Sequence, residues 1–332
     1  MPDADRQLKS PPWLENADGD ARRIGVELEV SGLELDEMAS LVASHFNLTT
    51  SSDGRYVRTL EGDSAGEWTV ELDYALIKKM GREQLSDETF ADKVNRSSEE
   101  LLAWAAKALV PVEIISPPLP LDRLKEVEEL VIFLRGKGAK GTADSPVNAF
   151  GMQLNPELAS HEAQHITACL KAFMCLYDWL YKRADIDLTR WITSYVDPFP
   201  AAYVKKVIKT DYWPDRADLI DDYLIDNPTR NRALDMLPLF KLLDKQRVLD
   251  KTNDELIKAR PTFHYRLPDC DIDNPKWGIY IAWNDWVEVE RLAADESRLQ
   301  ACCQAYSNYL RSPWKRLFSD WYKTVEEQWL NR

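Results

Sequence analysis

An alternating run, RIGVELEV (23–30), places Ile24, Val26, Leu28 and Val30 on one side of an extended chain and Gly25, Glu27 and Glu29 on the other, because successive strand side chains point to opposite faces. Four further segments sort the same way. Trp68, Val70 and Leu72 oppose Glu71 and Asp73; Val112 and Ile114 oppose Glu113; Phe150, Met152 and Leu154 oppose Gly151, Gln153 and Asn155; Phe263, Tyr265 and Leu267 oppose His264 and Arg266. Joined in one sheet with the apolar faces covered, these strands present a face of five carboxylates, two amides, one His and one Arg, without a Lys. A merely solvated antiparallel face usually mixes Lys and Thr with Glu. Carboxylates directly opposite one another repel, and such a cluster calls for divalent cations or shared protons. Oxygen donors with a single His suit Mg²⁺ or Mn²⁺ better than Zn²⁺. Beside Arg266, a metal-bearing face of this kind suits phosphoryl transfer, where cations and guanidinium groups spread the charge of the moving phosphate.

The elements that must position these residues follow from periodicity. Strands are expected at 23–30, 56–60, 67–73, 111–116, 147–155 and 261–267, and helices at 34–46, 98–109 and 121–138. After Pro156 the pattern becomes helical, with a long helix over 161–183 and others near 200–210, 215–226 and 232–247. Nine of the 12 Trp lie between 179 and 329, so a helical layer packed by large aromatics is expected there. Residues 1–21, rich in Pro, Asp and Gly, read as a flexible arm with Trp13 as a docking point.

The series RIGVELEV, EWTVELD, VEIISPPL, the Gly-led GMQLN and finally FHYRLPD resembles the amidoligase family, carboxylate-amine ligases related to glutamine synthetase and γ-glutamylcysteine synthetase. The resemblance implies an α+β fold: a glutamine synthetase-like antiparallel sheet with helices on one face and an added helical C-terminal region. It implies a ligase domain over 22–268, containing a helical segment at 160–250, and a Trp-rich helical region over 269–332. It also implies binding of ATP and Mg²⁺ or Mn²⁺, activation of an amino-acid or peptide carboxylate as an acyl phosphate, and displacement of phosphate by an amine. On this resemblance Glu27 and Glu29 match paired metal-binding glutamates, and Glu113 matches the glutamate before the Ser-Pro segment. Asp73 would bind metal or help deprotonate the attacking amine. Arg266 would meet the transferred phosphate, with Arg260, Arg230 and Arg232 as candidate neighbours. The family's His-x-His is Gln153-Leu154-Asn155 here, the glutamate before the final arginine is His264, and a Ser beyond the acidic residue is Ala75. His264 would then supply the imidazole that Gln153 does not.

Two other readings stand beside this one. A non-catalytic descendant of the fold would bind metal or nucleotide as an interaction module. His161, Glu162 and His165 match HExxH and would make a zinc peptidase if both histidines shared a helix face. GKGAKGT (136–142) fails the P-loop spacing and reads as a helix stop and turn. Five cysteines in no metal-like spacing, Cys270 among them, read as reduced thiols.

The 332 residues carry 42 Lys plus Arg against 56 Asp plus Glu, a net charge of −14. That balance argues against a broad basic surface for nucleic acid. No stretch reaches the roughly 18 apolar residues of a membrane helix, and the acidic start lacks a signal-peptide pattern, so a cytoplasmic protein is expected.

Overall fold

A computed structural model describes residues 6–52, 56–72, 111–141, 151–184, 196–312 and 319–330. The chain forms two compact units, one of residues 25–152 with 269–279, the other of 1–24, 153–268 and 280–332.

The first unit is built on an antiparallel sheet. Its strands are β1 (Arg23–Val30), β2 (Thr49–Ser52), β3 (Val57–Glu61), β4 (Trp68–Leu72), β5 (Val112–Ile115) and β6 (Leu119–Pro120); of β7 (Met152–Pro156) only Met152 belongs to this unit. They run in the order β2-β3-β4-β5-β1-β6. Among the described residues β2, a polar TTSS segment that hydropathy alone does not mark, forms one edge of this sheet. Alternation holds residue by residue: Val26, Leu28, Trp68, Val70, Val112 and Ile114 are at most 1% exposed, while the glutamates between them are half-buried. Helix α1 (Leu35–Phe46) buries Met38, Ala39 and Val42 and ends at Asn47 in the left-handed region, a conformation that a short polar side chain tolerates. Phe46 stacks on Trp68 with ring centroids 4.5 Å apart. A 3₁₀ turn at Leu121–Arg123 leads into α2 (Leu124–Gly136), which buries Leu124, Val127, Leu130, Val131 and Leu134.

One ion pair fixes the turn between β3 and β4. Arg123 binds both oxygens of Asp63 at 2.7 and 2.9 Å, and Asp63 also accepts from the Trp68 indole and the Ala65 amide. These donors hold the Asp63 carboxyl well below the usual carboxylate range, with the Arg123 hydrogen bonds foremost. At the end of β5, Ser116 replaces a ladder partner: its hydroxyl accepts from the Val26 amide at 2.9 Å and donates to the Pro117 carbonyl. Pro117 and Pro118 then end the strand, lacking the N–H a ladder requires.

The second unit is helical: α3 (Ala163–Arg183), α4 (Ala201–Val207), α5 (Arg216–Asp226), α6 (Leu237–Leu243), α7 (Lys245–Leu249), α8 (Ile279–Ala294, from residue 280 onward), α9 (Glu296–Arg311) and α10 (Trp321–Gln328). Helix α3 is apolar nearly all round, burying Ile166, Leu170, Phe173, Leu176 and Leu180, as expected of a central core helix. The expected 232–247 helix is split, because Pro238 opens α6 at its first turn and Asp244 both ends α6 and caps α7 through the Arg247 amide.

The expected strand at 261–267 is not a regular one. Tyr265 exchanges two backbone bonds with Leu154, and separate bridges join Glu157 to Thr262 and Leu234 to Tyr265. Pro261 and Pro268 bound the segment, and Pro156 opposite it has no N–H, so pairing breaks into isolated bridges.

Residues 6–22 are bonded along their length. Asn284 bonds the Gln7 carbonyl and Lys9 amide, Trp283 donates to the Lys9 carbonyl, and Trp13 meets His165 edge-on at 4.7 Å. Arg22, 1% exposed, forms a two-point pair with Glu290 at 2.6 and 3.0 Å and donates to the carbonyls of Glu157 and Trp13. The Trp286 indole donates to the same carboxylate at 2.8 Å.

Candidate active site

The sheet register brings carboxylates into a row. In the β1–β5 ladder Glu29 is the direct partner of Glu113, and in the β4–β5 ladder Glu113 is the direct partner of Glu71. Direct partners share a face with Cα atoms about 4.5–5.5 Å apart. Glu27 lies on the same face two residues along β1, in the next row with Ile115 and Thr69. The Glu29 carboxylate accepts from the Gly151 amide at 2.7 Å, and the Glu29 amide donates back to the Gly151 carbonyl at 3.0 Å. That contact fixes the Glu29 side chain along the sheet surface. Asp73, the fifth expected carboxylate, lies outside the described residues.

As a donor set this row is hard oxygen and half-buried, which matches Mg²⁺ or Mn²⁺ in kind. Among the described residues, no group of three or more His, Cys, Asp or Glu is gathered closely enough to hold a metal ion.

A second polar cluster lies wholly in the helical unit. Gln153, Asn155 and His264 are 8%, 3% and 3% exposed. His264 is thus buried, where simple alternation with Phe263 and Tyr265 assigns it to an open face. Its Nε2 meets Gln153 Oε1 at 2.5 Å and its Nδ1 meets Arg260 Nη2 at 3.3 Å. Since Arg can only donate and an amide oxygen can only accept, the network assigns the neutral tautomer with Nε2 protonated. Both ring nitrogens of the expected metal ligand are thereby engaged.

Asp235 completes this cluster and is absent from the sequence reading. It is fully buried, its amide donates to the His264 carbonyl at 2.9 Å, and its Oδ2 lies 3.7 Å from His264 Nδ1. Its Oδ1 accepts from the Leu237 amide, whereas Oδ2 has no hydrogen-bond partner among the described residues. The available signal was an acid inside the apolar run Ala233-Leu234-Asp235-Met236-Leu237. Arg266 donates to the Arg230 carbonyl, and its buried Nε likewise has no partner among the described residues. Each such group costs about 1–3 kcal/mol unless something else binds it. Arg232 donates to the carbonyls of Pro198 and Asp226, yet its buried Nε too has no hydrogen-bond partner among the described residues, and Arg230 faces Asp254 at 3.9 Å.

The HExxH reading fails on helix position. Helix α3 begins at Ala163, with extended backbone at Glu162, so His161 precedes the helix and cannot share a helical face with His165. His165 is packed against Trp13, and burial, helped by Arg22 and His161, lowers its pKa to about 4. Of GKGAKGT, residues 136–141 form the stop of α2 and a turn: Gly138 has φ +98° and Lys140 bridges Ser31, while Thr142 lies outside the described residues. A Cβ on Gly141 would collide with the backbone of Cys270, Asp271 and Ile272, leaving no room for phosphate at that glycine. Cys270 is fully buried, as are the other four thiols.

Residues 20–288 match the protein family described as "Putative amidoligase enzyme", which is more than half of the chain. The protein therefore belongs to the amidoligase family. A comparison with curated proteins finds no match. Among the described residues no helix is long and apolar enough to cross a membrane.

Proposed function

We propose that the protein is an ATP-dependent carboxylate-amine ligase, forming an amide bond through an acyl phosphate. The observation that carries this is the in-register row Glu29, Glu113 and Glu71 on a sheet within the family-matched region. Carboxylates aligned on one face repel one another, and a divalent cation bound there would relieve that repulsion. Mg²⁺ or Mn²⁺ bound by Glu27, Glu29 and Glu113 would neutralise phosphate charge in a reaction of this class.

The chain's own residues have separable tasks in this reading. The Gly151 amide holds the Glu29 carboxylate in one orientation. Arg266, with Nε uncommitted to any described residue, supplies a cation for phosphate oxygens. Arg260 and Gln153 fix the His264 ring, and Asp235 sits where it would stabilise that ring if it took up a proton. Asp73 is assigned to the amine or the metal by the family pattern alone.

The test is phosphate release from ATP with Mg²⁺ or Mn²⁺ over a panel of amino acids and amines. Turnover should require both a carboxylate and an amine, and Glu113→Gln should lower it by at least about 100-fold, the scale for removing one charge-stabilising group. Turnover that is insensitive to Glu27→Gln and Glu113→Gln would sink the proposal. So would the absence of any amine-dependent release.

A further inference from the structure

Two helices of the helical unit bring thiols together. Cys175 of α3 and Cys303 of α9 are 128 positions apart in the chain, yet their sulfurs lie 3.6 Å from each other. Both are free thiols, 0% and 1% exposed. Cys302, the neighbour of Cys303 on α9, also bears on the Cys175 thiol. One turn before Cys175 on the same face of α3, Lys171 is 1% exposed, donates to the Lys209 carbonyl at 2.7 Å and lies 4.2 Å from the Trp213 ring centre. The two sulfurs are thereby made unequal. The hydrogen bond from Cys175, and after it the Lys171 charge, hold the Cys303 thiol below the usual thiol range against the effect of burial. Burial foremost pushes Cys175 up. A thiolate is the reactive form and a protonated thiol beside it is the resolving partner, so the pair has one sulfur for each task.

We propose that Cys175 and Cys303 are a redox modification site, oxidised by a hydroperoxide to a reversible disulfide that staples α9 to α3. The Cys303 thiolate attacks one peroxide oxygen, the O–O bond breaks, and the departing oxygen takes up a proton and leaves as water or an alcohol. Cys303 is then a sulfenic acid. The Cys175 sulfur displaces its hydroxyl, which leaves as water with the Cys175 proton, and the S–S bond forms. Two thiols thus give two electrons to one peroxide. Bonding between Cys302 and Cys303 is disfavoured, because adjacent residues of a helix do not face each other. A hydroperoxide suits the site because it is small, and the buried sulfurs become accessible through local separation of the helices. An open cavity of about 250 Å³ is lined by Met174, adjacent to Cys175, and by Tyr306, one turn beyond Cys303, which brings solvent to the seam between α3 and α9. The staple also bears on α10, since the Trp321 indole donates to the Cys175 carbonyl at 2.7 Å.

This site stands apart from the ligase reading, and its test uses neither ATP nor turnover. The reduced full chain is treated with hydrogen peroxide, its remaining thiols are alkylated, and intact mass and fragmentation of the linked peptides are read. The wild-type protein should lose two hydrogens, with the bond mapped to Cys175 and Cys303 and removed by dithiothreitol. Cys302→Ala should still form it and Cys303→Ala should not. Closing so long a loop restricts the unfolded chain, so oxidation should raise Tm by about 5 °C or more. Thiols that stay reduced in the wild-type protein overturn the proposal, as does a bond mapped to any other pair, Cys175 with Cys302 included. An oxidised protein with the Tm of the reduced one overturns the staple. The mapping on wild-type protein decides the site even if Cys303→Ala does not fold.

Discussion

Glu29 and Glu113 are direct partners across the β1–β5 ladder, two like charges on one face of neighbouring strands. Glu71 extends the row on the other side of Glu113. Like charges so placed repel one another, and a cation bound on this face would lower that cost.

The first consequence is thermal. Mn²⁺ or Mg²⁺ at a hundredfold excess over its Kd should stabilise the protein by about 2.7 kcal/mol. Glu113→Gln, which empties the centre of the row, should lose most of that shift. Differential scanning fluorimetry with and without Mn²⁺ checks this, and an equal shift in both proteins would contradict it.

The Arg22–Glu290 pair, both side chains 1% exposed, makes a different prediction. Arg22→Met leaves a buried carboxylate with only the Trp286 indole as donor among the contacts described above, and should cost about 3–5 kcal/mol in urea unfolding. The double variant Arg22→Met with Glu290→Leu should recover much of that loss, because no uncompensated charge remains. A double variant as unstable as Arg22→Met would show that the pair stabilises beyond its desolvation cost.

Two groups of the helical unit titrate with opposite consequences for stability. Burial raises the Asp285 pKa from 3.8 to about 6, against the lowering influence of Arg183, so the folded protein binds more protons than the unfolded chain between those values. Stability from this group is present below pH 3.8 and is lost as pH rises toward 6. Burial lowers the His165 pKa from 6.5 to about 4, so the unfolded chain binds more protons in that window and stability rises with pH. Each shift corresponds to roughly 3 kcal/mol, and between about pH 4 and 6 they oppose each other. Relative to wild type, Asp285→Asn should make stability climb more steeply across this window, and His165→Gln should make it climb less or fall. Denaturant titrations at pH 4, 5 and 6 measure both slopes.

For His264, long-range ¹H–¹⁵N correlations should show Nε2 protonated and Nδ1 bare. Gln153 accepts from the first nitrogen and Arg260 donates to the second. The reverse tautomer would set two donors against each other at Arg260 and two acceptors at Gln153, and its observation would remove the assigned network.

Much of the sheet was legible from alternation. RIGVELEV is β1 to the residue, and the strands carrying Glu71 and Glu113 appear within a residue or two of their expected bounds. Period-2 burial is a local property, because each side chain's face depends only on its own strand. The β2 strand, TTSS, escaped because an edge strand of small polar residues carries no such pattern. The HExxH match misled for a related reason: a motif supplies spacing, while the start of α3 at Ala163 is set by where the chain enters the helical core.

The sequence by itself determined which side chains share a face on each strand, the acidic balance and the family pattern, all of which depend on order along the chain. Only the tertiary structure decided that Glu29, Glu113 and Glu71 form one row, since register depends on how separate strands slide against each other. It also decided that His264 is buried with Asp235, two residues 29 positions apart that meet because Tyr265 pairs with Leu234. Helix packing likewise brings the Trp321 indole to the Cys175 carbonyl at 2.7 Å across nearly half the chain, a contact to which local periodicity is blind.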